Sequence, residues 1–399
     1  MTGTEYYTQV SAMEPMLPQR QSLHDLAFDL SQKSAQLNGT LASGTRAAVV
    51  RLLRLVNCYY SNLIEGHKTT LAEIERGLTK RFESNDKQRS LQLEAKAHIE
   101  VQDIINNRLV DEPALNVCAT EFIRFIHREF YERMPDDFRF VLDHDGFTSV
   151  PVIPGEIRSR QVTVGRHVAP DFEALPNFLA RFENCYDLKK HHGGEAKILA
   201  IAASHHRLMW IHPFLDGNGR VARLFTHAML ARTILGHGLW TVSRGFARQQ
   251  KEYYDFLANA DSSRRNDYDG RGNLSQQGLD DFCEFFLKTC LDQVDYMGKV
   301  LSLDDLYTRV GAYADFRSTT PSLEFKPLRP EAKYILQEVC LRGAVPRGEA
   351  GRITGLGQET ARRIVSQLLK EGLLVSESHK SPVRMGMPIH AIGYYFPNL

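Results

Sequence analysis

Apolar residues recur at three- and four-residue steps along most of this chain, and that spacing commits it to a mainly α fold. Residues 46–56 show the pattern, with Val49, Leu52, Leu53 and Val56 falling on one helical face. The same reading makes residues 22–105 and 114–133 helix-rich. It places further helices at 171–186, 195–210, 220–235, 247–260 and 279–296. One stretch breaks the pattern. Between Gly155 and Gly165 the residues alternate and include β-branched types, which reads as a short hairpin. Residues 1–22 read as a poorly ordered arm and 261–277 as a loop. Residues 315–330, with three prolines, read as part of a linker.

The length of 399 residues and a 43% hydrophobic share allow two or three domains with real cores. A formal net charge of +1 demands neither a nucleic acid nor a membrane as partner, though a local basic patch remains compatible with it. The six cysteines form no CxxC pair and no zinc spacing, so they read as buried free thiols in a reducing compartment. The N-terminus lacks a basic start followed by an apolar core, and no apolar run reaches the ~18 residues of a membrane span. The expectation is a cytoplasmic protein with no membrane partner.

The densest chemistry lies in residues 211–223. Pro213 ends the preceding helix next to His212. Gly217 and Gly219 permit positive φ and close approach of a ligand to the backbone. A helix follows at once, and its first N–H groups have no intrahelical partners, so the turn is an anion site. Arg220 and Arg223 lie one turn apart and share a face. Asp216 supplies a hard oxygen for Mg²⁺, and His212 supplies a base that titrates near neutrality. These are the parts of a phosphoryl or nucleotidyl transferase. Upstream, His205 and His206 suggest a metal, but no Glu or Cys completes a zinc set. His205 reads as a hydrogen-bonded helix residue supporting the loop.

Residues 212–223 resemble the signature of the Fic (Fic/Doc, Fido) family, His-x-Phe-x-(Asp/Glu)-Gly-Asn-Gly-Arg-x-x-Arg, with every defined position filled. The resemblance implies a Fic-type helical core with a small β-hairpin flap and protein adenylyltransferase activity. AMP would pass from Mg-ATP to a Tyr, Thr or Ser hydroxyl of a target protein. His212 would be the general base and Asp216 the Mg²⁺ ligand. Gly217, Asn218 and Gly219 would cradle the α- and β-phosphates, the Asn218 side chain included. Arg220 would help fix the phosphates, Arg223 would bind the γ-phosphate and Phe214 would anchor the loop. The hairpin at 157–164 would hold the target by strand addition. Tyr253, Tyr254 and Asp261 fall where family members line the adenine pocket; core packing explains the two tyrosines nearly as well.

A second segment ends a helix spanning about 46–66. Ser61 and Glu65 share a helix face, and Gly66 is a natural C′ residue. Glu65 therefore sits at the negative end of the helix dipole, an unfavourable place that suggests a partner elsewhere. The segment resembles the family's inhibitory motif, (Ser/Thr)-x-x-x-Glu-(Gly/Asn). That resemblance implies that Glu65 pairs with Arg223 and takes the γ-phosphate position. Members with this glutamate can also remove AMP.

Residues from about 330 to 399 read as helices, a turn at 355–358, an amphipathic helix at 359–370 and a hairpin. Its strands would be 372–375 and 394–396. This resembles a winged helix-turn-helix domain, in which Arg362, Arg363 and Lys370 could meet DNA phosphates or a protein. The expected division is 1–113 for an N-terminal helical region, 114–300 for the Fic core, 301–329 for a linker and 330–399 for the winged helix. Self-modification and a homodimer are compatible with this reading. Two rivals remain: transfer of another nucleotide or of phosphate, and a DNA-binding regulator with a vestigial Fic core.

Overall fold

The computed structural model describes residues 6–142, 148–165, 167–320 and 325–399. The chain runs α1 (Ser22–Gly39), α2 (Ser43–Ile64), α3 (Leu71–Leu78), α4 (Asp86–Asp111), α5 (Thr120–Arg133), β1 (Phe140–Leu142), β2 (Ser149–Pro151), β3 (Thr163–Val164), β4 (His167–Val168) and α6 (Leu175–Tyr186). It continues with α7 (Gly194–Ile211), α8 (Asn218–Thr233), α9 (Val242–Arg248), α10 (Gln250–Ala260), α11 (Gln276–Val300) and α12 (Leu303–Thr319). The last elements are α13 (Ala332–Arg342), β5 (Ala344–Val345), α14 (Ala350–Thr354), α15 (Gln358–Lys370), β6 (Leu374–Val375), β7 (Val383–Met385) and α16 (Ile389–Tyr395). Among the described residues no helix is long and apolar enough to cross a membrane.

The chain divides into two compact units. One comprises Met1–Lys33, Asn57–His237 and Thr241–Gln293; the other comprises Ser34–Val56, Gly238–Trp240 and Val294–Leu399. Residues 34–56, grouped by sequence with the N-terminal region, thus cluster with the C-terminal residues instead.

In the first unit α7 packs along α8, and α4 and α5 pack against α8 as well. The core between them is apolar, with Phe130, Phe182, Trp210, Phe214 and Phe225 all buried. Burial of side chains this large supplies on the order of 1.5–3 kcal/mol each, and it fixes the two helices that flank the loop at 212–217. The N-terminal arm is not loose where it is described. Met13 and Met16 are buried, and the fully buried Arg207 donates from Nε and Nη2 to the Pro15 carbonyl at 3.0 and 2.6 Å. A buried guanidinium needs such partners, and the arm provides them.

The expected hairpin is shorter than its alternating pattern suggests. Only Thr163 and Val164 form a strand, paired antiparallel with Val168 and His167. A second antiparallel pair, β1 with β2, was not anticipated. Residues 157–162 carry no strand because Arg158, one of the alternating positions, is drawn inward and is 3% exposed.

In the second unit, residues 303–319 of the supposed linker form α12, which packs on α13 and α16. Residues 321–324 lie outside the described residues. The turn at Gly355 is as expected, with φ +70 between α14 and α15. The wing is not. Residues 394–396 are not a strand: Tyr394 and Tyr395 close α16, and Phe396 caps it. Ala391, Ile392 and Tyr395 bury one helical face. The strand that pairs with β6 is β7, at the centre of a sheet ordered β5-β7-β6.

Candidate active site

The loop begins where α7 ends. His212 caps α7 in the left-handed region, with φ 49 and ψ 61, and its N–H still reaches the Leu208 carbonyl at 3.1 Å. A non-glycine residue held there is uncommon and marks a constrained position. Two bonds from Arg158 hold the turn. Its Nε donates to the His212 carbonyl at 2.8 Å, and its backbone N–H donates to the Pro213 carbonyl at 2.9 Å.

The His212 side chain is half-buried, and its Nδ1 lies 3.2 Å from the Met209 carbonyl. A carbonyl only accepts, so Nδ1 carries the hydrogen and Nε2 keeps its lone pair. Burial lowers the imidazole to about 4; the Met209 carbonyl opposes this, while the charges of His167 and Arg158 reinforce it. At neutral pH the ring is therefore an uncharged acceptor.

Below the loop three rings stack. Phe214 lies on His127 with centroids 3.9 Å apart, and His127 lies on Tyr131 at 4.3 Å. His127 accepts the Gly155 N–H at Nδ1 (2.8 Å), and burial holds it neutral, down to about 3. Tyr131 then donates its hydroxyl to Asp216 Oδ2 at 2.6 Å. The Asn218 side chain closes the loop on itself: its Oδ1 accepts from Phe214 N at 2.9 Å and its Nδ2 donates to Phe214 O at 2.8 Å. In this structure the Asn218 amide is thus engaged by the loop backbone. Gly217 has φ +76, no side-chain cap covers the start of α8, and a Cβ at Gly217 would stand 2.6 Å from the Tyr131 ring.

The two arginines differ. Arg220 faces inward: Nη1 pairs with the buried Glu94, and Nη2 lies 3.2 Å from Asp216 Oδ2. Burial lowers this guanidinium, but Tyr131, Glu94, Asp216 and Glu65 more than restore it, so its pKa ends raised. Asp216 is pushed up by burial and pulled below its ordinary range by the Arg220 charge and the Tyr131 bond. Its side chain keeps 42% exposure, so it can still meet an incoming cation. Among the described residues no cluster of three or more His, Cys, Asp or Glu forms a metal site. One carboxylate beside a phosphate cradle nevertheless fits Mg²⁺, which keeps several waters and takes substrate oxygens.

Arg223 faces the end of α2. Its Nε donates to Ser61 Oγ at 2.9 Å, and its Nη2 donates to the Ser61 carbonyl at 3.1 Å and to Glu65 Oε1 at 2.5 Å. Gly66, at φ +81, lets the helix end in a Schellman turn, with Gly66 N on Leu63 O and His67 N on Asn62 O, both 3.0 Å. Burial pushes the Glu65 carboxyl up, but the charges of Arg223 and Arg220 outweigh it, and its pKa ends lowered. A Cβ on Gly219 would stand 2.5 Å from Glu65 Oε1. A carboxylate therefore already lies against the first turn of α8, where the loop would receive an anion.

The remaining candidates are Tyr253, Tyr254 and Asp261, of which the two tyrosines lie near Arg223 and Glu65. Tyr254 is 43% exposed and donates to the Ile64 carbonyl at 3.1 Å. Tyr253 is buried, its hydroxyl 2.8 Å from His205 Nε2, and the other His205 nitrogen meets Thr226 Oγ1 at 2.7 Å. Asp261 is bound between His206 Nε2 (3.0 Å) and His167 Nδ1 (3.2 Å). His205 and His206 are thus satisfied helix residues. A cleft of ≈ 210 Å³ opens beside His212, lined by Leu142, Val150, Thr163, Val164 and Leu215 among others. Sequence reasoning missed Glu94, His127, Tyr131 and Arg158.

Residues 117–230 match the family model described as Fic/DOC family. A "Protein adenylyltransferase Fic" from Drosophila yakuba is 27% identical over 271 residues, covering 63% of this chain and 49% of its own length. One from Drosophila virilis is 30% identical over 199 residues, covering 50% and 36%. The chain therefore spans half or less of the length of these relatives. A Fic family protein from Desulfovibrio desulfuricans G20 superposes with a TM-score of 0.54 at 16% identity, over 94% of this chain and 99% of its own. Fic-1 from C. elegans gives 0.54 at 17% identity, over 71% and 74%. At such identities the superpositions speak for the fold, and the Fic/DOC family match is confined to residues 117–230, the stretch that contains the loop.

Proposed function

We propose that this chain transfers AMP from Mg-ATP to a Tyr, Thr or Ser hydroxyl of a protein, and that Glu65 restrains the reaction. The observation that carries the reading is the loop itself. A neutral His212 with a free Nε2 stands at one end, and an uncapped helix N-terminus with Asp216 at the other. The attacking hydroxyl oxygen bonds to the α-phosphorus, its proton passes to His212 Nε2, and the bond to the leaving pyrophosphate breaks. The N–H groups of Gly217, Asn218 and Gly219 stabilise charge developing on the phosphoryl oxygens. Mg²⁺, held by Asp216, would neutralise phosphate charge. Tyr131 and Arg220 orient that carboxylate. The adenylyltransferase names of the relatives support the same chemistry.

Glu65 competes with nucleotide for Arg223. Glu65→Gly is expected to raise self-modification strongly, seen as protein label from ATP carrying the isotope in its α-phosphate and as an added AMP in the intact mass. Label from the γ-phosphate would mean phosphorylation instead. No label from either, in folded protein, would favour a regulator with an inactive core. Removal of AMP by the wild-type chain is a compatible second direction. The cleft beside His212, lined by both apolar and polar side chains, supports target docking near residues 157–164, with Val164 and Leu142 exposed.

The C-terminal elements support a winged-helix reading in which α15 follows the turn at Gly355 and β6 and β7 form the wing. Arg347, Arg362 and His379 line a cavity of ≈ 670 Å³ on that side of α15. Contact with DNA there would show as filter binding that falls steeply with salt; contact with a protein would not.

A further inference from the structure

We infer that Glu94, in the middle of α4, is a positioning residue that ties the arginine of the loop to the inhibitory segment. The inference rests on the reading of the loop as a nucleotide site and of Glu65 as its restraint. The Glu94 side chain is completely buried. A buried carboxylate is tolerated only when both oxygens are matched. Here Oε1 takes Nη1 of Arg220, and Oε2 lies 2.6 Å from Nδ1 of His67. Arg220 in turn reaches Asp216 Oδ2 at 3.2 Å and Tyr131 Oη at 3.4 Å. The orientation of Asp216 thus depends on a guanidinium whose other end Glu94 fixes.

The second oxygen gives Glu94 its other role. His67 lies two residues beyond Glu65, and its N–H makes the outer bond of the Schellman turn. The inhibitory segment is therefore fastened twice, by Glu65 on Arg223 and by His67 on Glu94. Arg220 and Arg223 are one helical turn apart on α8, so one fastening ends on that strip directly and the other reaches it through Glu94. Opening the turn far enough to withdraw Glu65 breaks the His67 contact. Glu94 is then left to Arg220 alone. Release of the restraint and the setting of Arg220 against Asp216 thereby share one carboxylate.

Two variants separate the roles. His67→Phe keeps the bulk against Phe138, whose ring centroid lies 5.6 Å from that of His67, and removes only the bond to Glu94. In the otherwise unaltered chain it is expected to raise self-modification by about tenfold, the scale of one lost charge-assisted hydrogen bond. In the Glu65→Gly background, where the restraint is already gone, it should give no further rise. Glu94→Gln in the Glu65→Gly background should instead raise the Mg-ATP KM by about tenfold with a smaller change in kcat. Amide hydrogen exchange at residues 62–67 should quicken in both variants, a readout that needs no activity. Unchanged exchange in His67→Phe, or an equal rise of activity with and without Glu65, overturns the inference. An inactive Glu65→Gly protein with quickened exchange in His67→Phe would instead sink the functional reading and leave the latch standing.

Discussion

The loop at 212–223 and the strand segment at 157–168 border the same cleft, yet they are built on opposite plans. The loop is bound to itself and to the core. Asn218 clasps Phe214, Phe214 lies on His127, and Tyr131 holds Asp216. The strand segment is anchored inward at His167, whose Nε2 meets the Trp210 carbonyl at 2.8 Å, and at Arg158, which bonds to the carbonyls of His212, Arg160 and Pro170. Past Arg158 it offers two-residue strands and exposed apolar side chains, Val164 at 47%. The contrast teaches where each region's function resides. Chemistry at an α-phosphorus tolerates displacements well under an ångström, so the loop is over-determined. A surface that receives a partner strand, as proposed for this segment, would need accessible side chains, and the segment offers them.

The largest effect that would break this contrast is at Gly217. Gly217→Ala forces a Cβ into the Tyr131 ring from a backbone at φ +76, which alone costs on the order of 1–2 kcal/mol. The displaced tyrosine would release Asp216. Self-modification by the Glu65→Gly protein is expected to fall about 100-fold or more, with a lowered Tm. Retained activity would mean that the loop is looser than its contacts show. Asn218→Ala comes next. It strands the buried N–H and C=O of Phe214, a loss of about 1–3 kcal/mol, read as a lower midpoint in urea together with reduced transfer. Val164→Asp is expected to do the opposite in kind. Its stability should stay within about 0.5 kcal/mol of the parent, as for most surface changes. Transfer from the Glu65→Gly protein to a second, His212→Ala copy should drop several-fold. A matching loss of stability would show that the segment is part of the core after all.

The same contrast explains what the sequence revealed. The loop was legible because His212, Asp216, Gly217, Asn218, Gly219, Arg220 and Arg223 fall within one stretch of twelve residues. Glu65 was legible because a carboxylate at a helix C-terminus breaks a local rule, and its contact with Arg223 removes the contradiction. Glu94, His127 and Tyr131 were not. They come from α4 and α5, far from the loop in sequence, and inside a helical pattern a polar residue facing inward looks like one facing water. Asn218 and Arg220 were placed in the site but given outward roles, because spacing does not tell which way a side chain's bonds are spent. Residues 394–396 misled for a simpler reason. Their aromatic run carries strand propensity, whereas burial at 391, 392 and 395 follows the helical step.

The smallest expected effect is the most discriminating for His212, because it concerns charge and not shape. The ring is surrounded by the Met209 carbonyl, His167, Arg158 and Asp216, and burial, reinforced by His167 and Arg158, lowers it to about 4. A base must be unprotonated to act, so activity should persist as pH falls through 6.5 and be half lost only near 4. The fold itself is under strain over that interval. His98, His127 and His205 are buried neutral, each held down to about 3. Unfolded histidines take up protons near 6.5, so stability is lost progressively as pH drops from 6.5 toward 3. Initial rates of the Glu65→Gly protein therefore need a thermal unfolding curve at each pH. From pH 8 to 5 the rate at fixed saturation should change by less than about twofold wherever the protein remains folded. An acid limb centred near 6.5 in folded protein would mean that water reaches the imidazole freely, and with it the loop's claim to be the closed half of the cleft would fail.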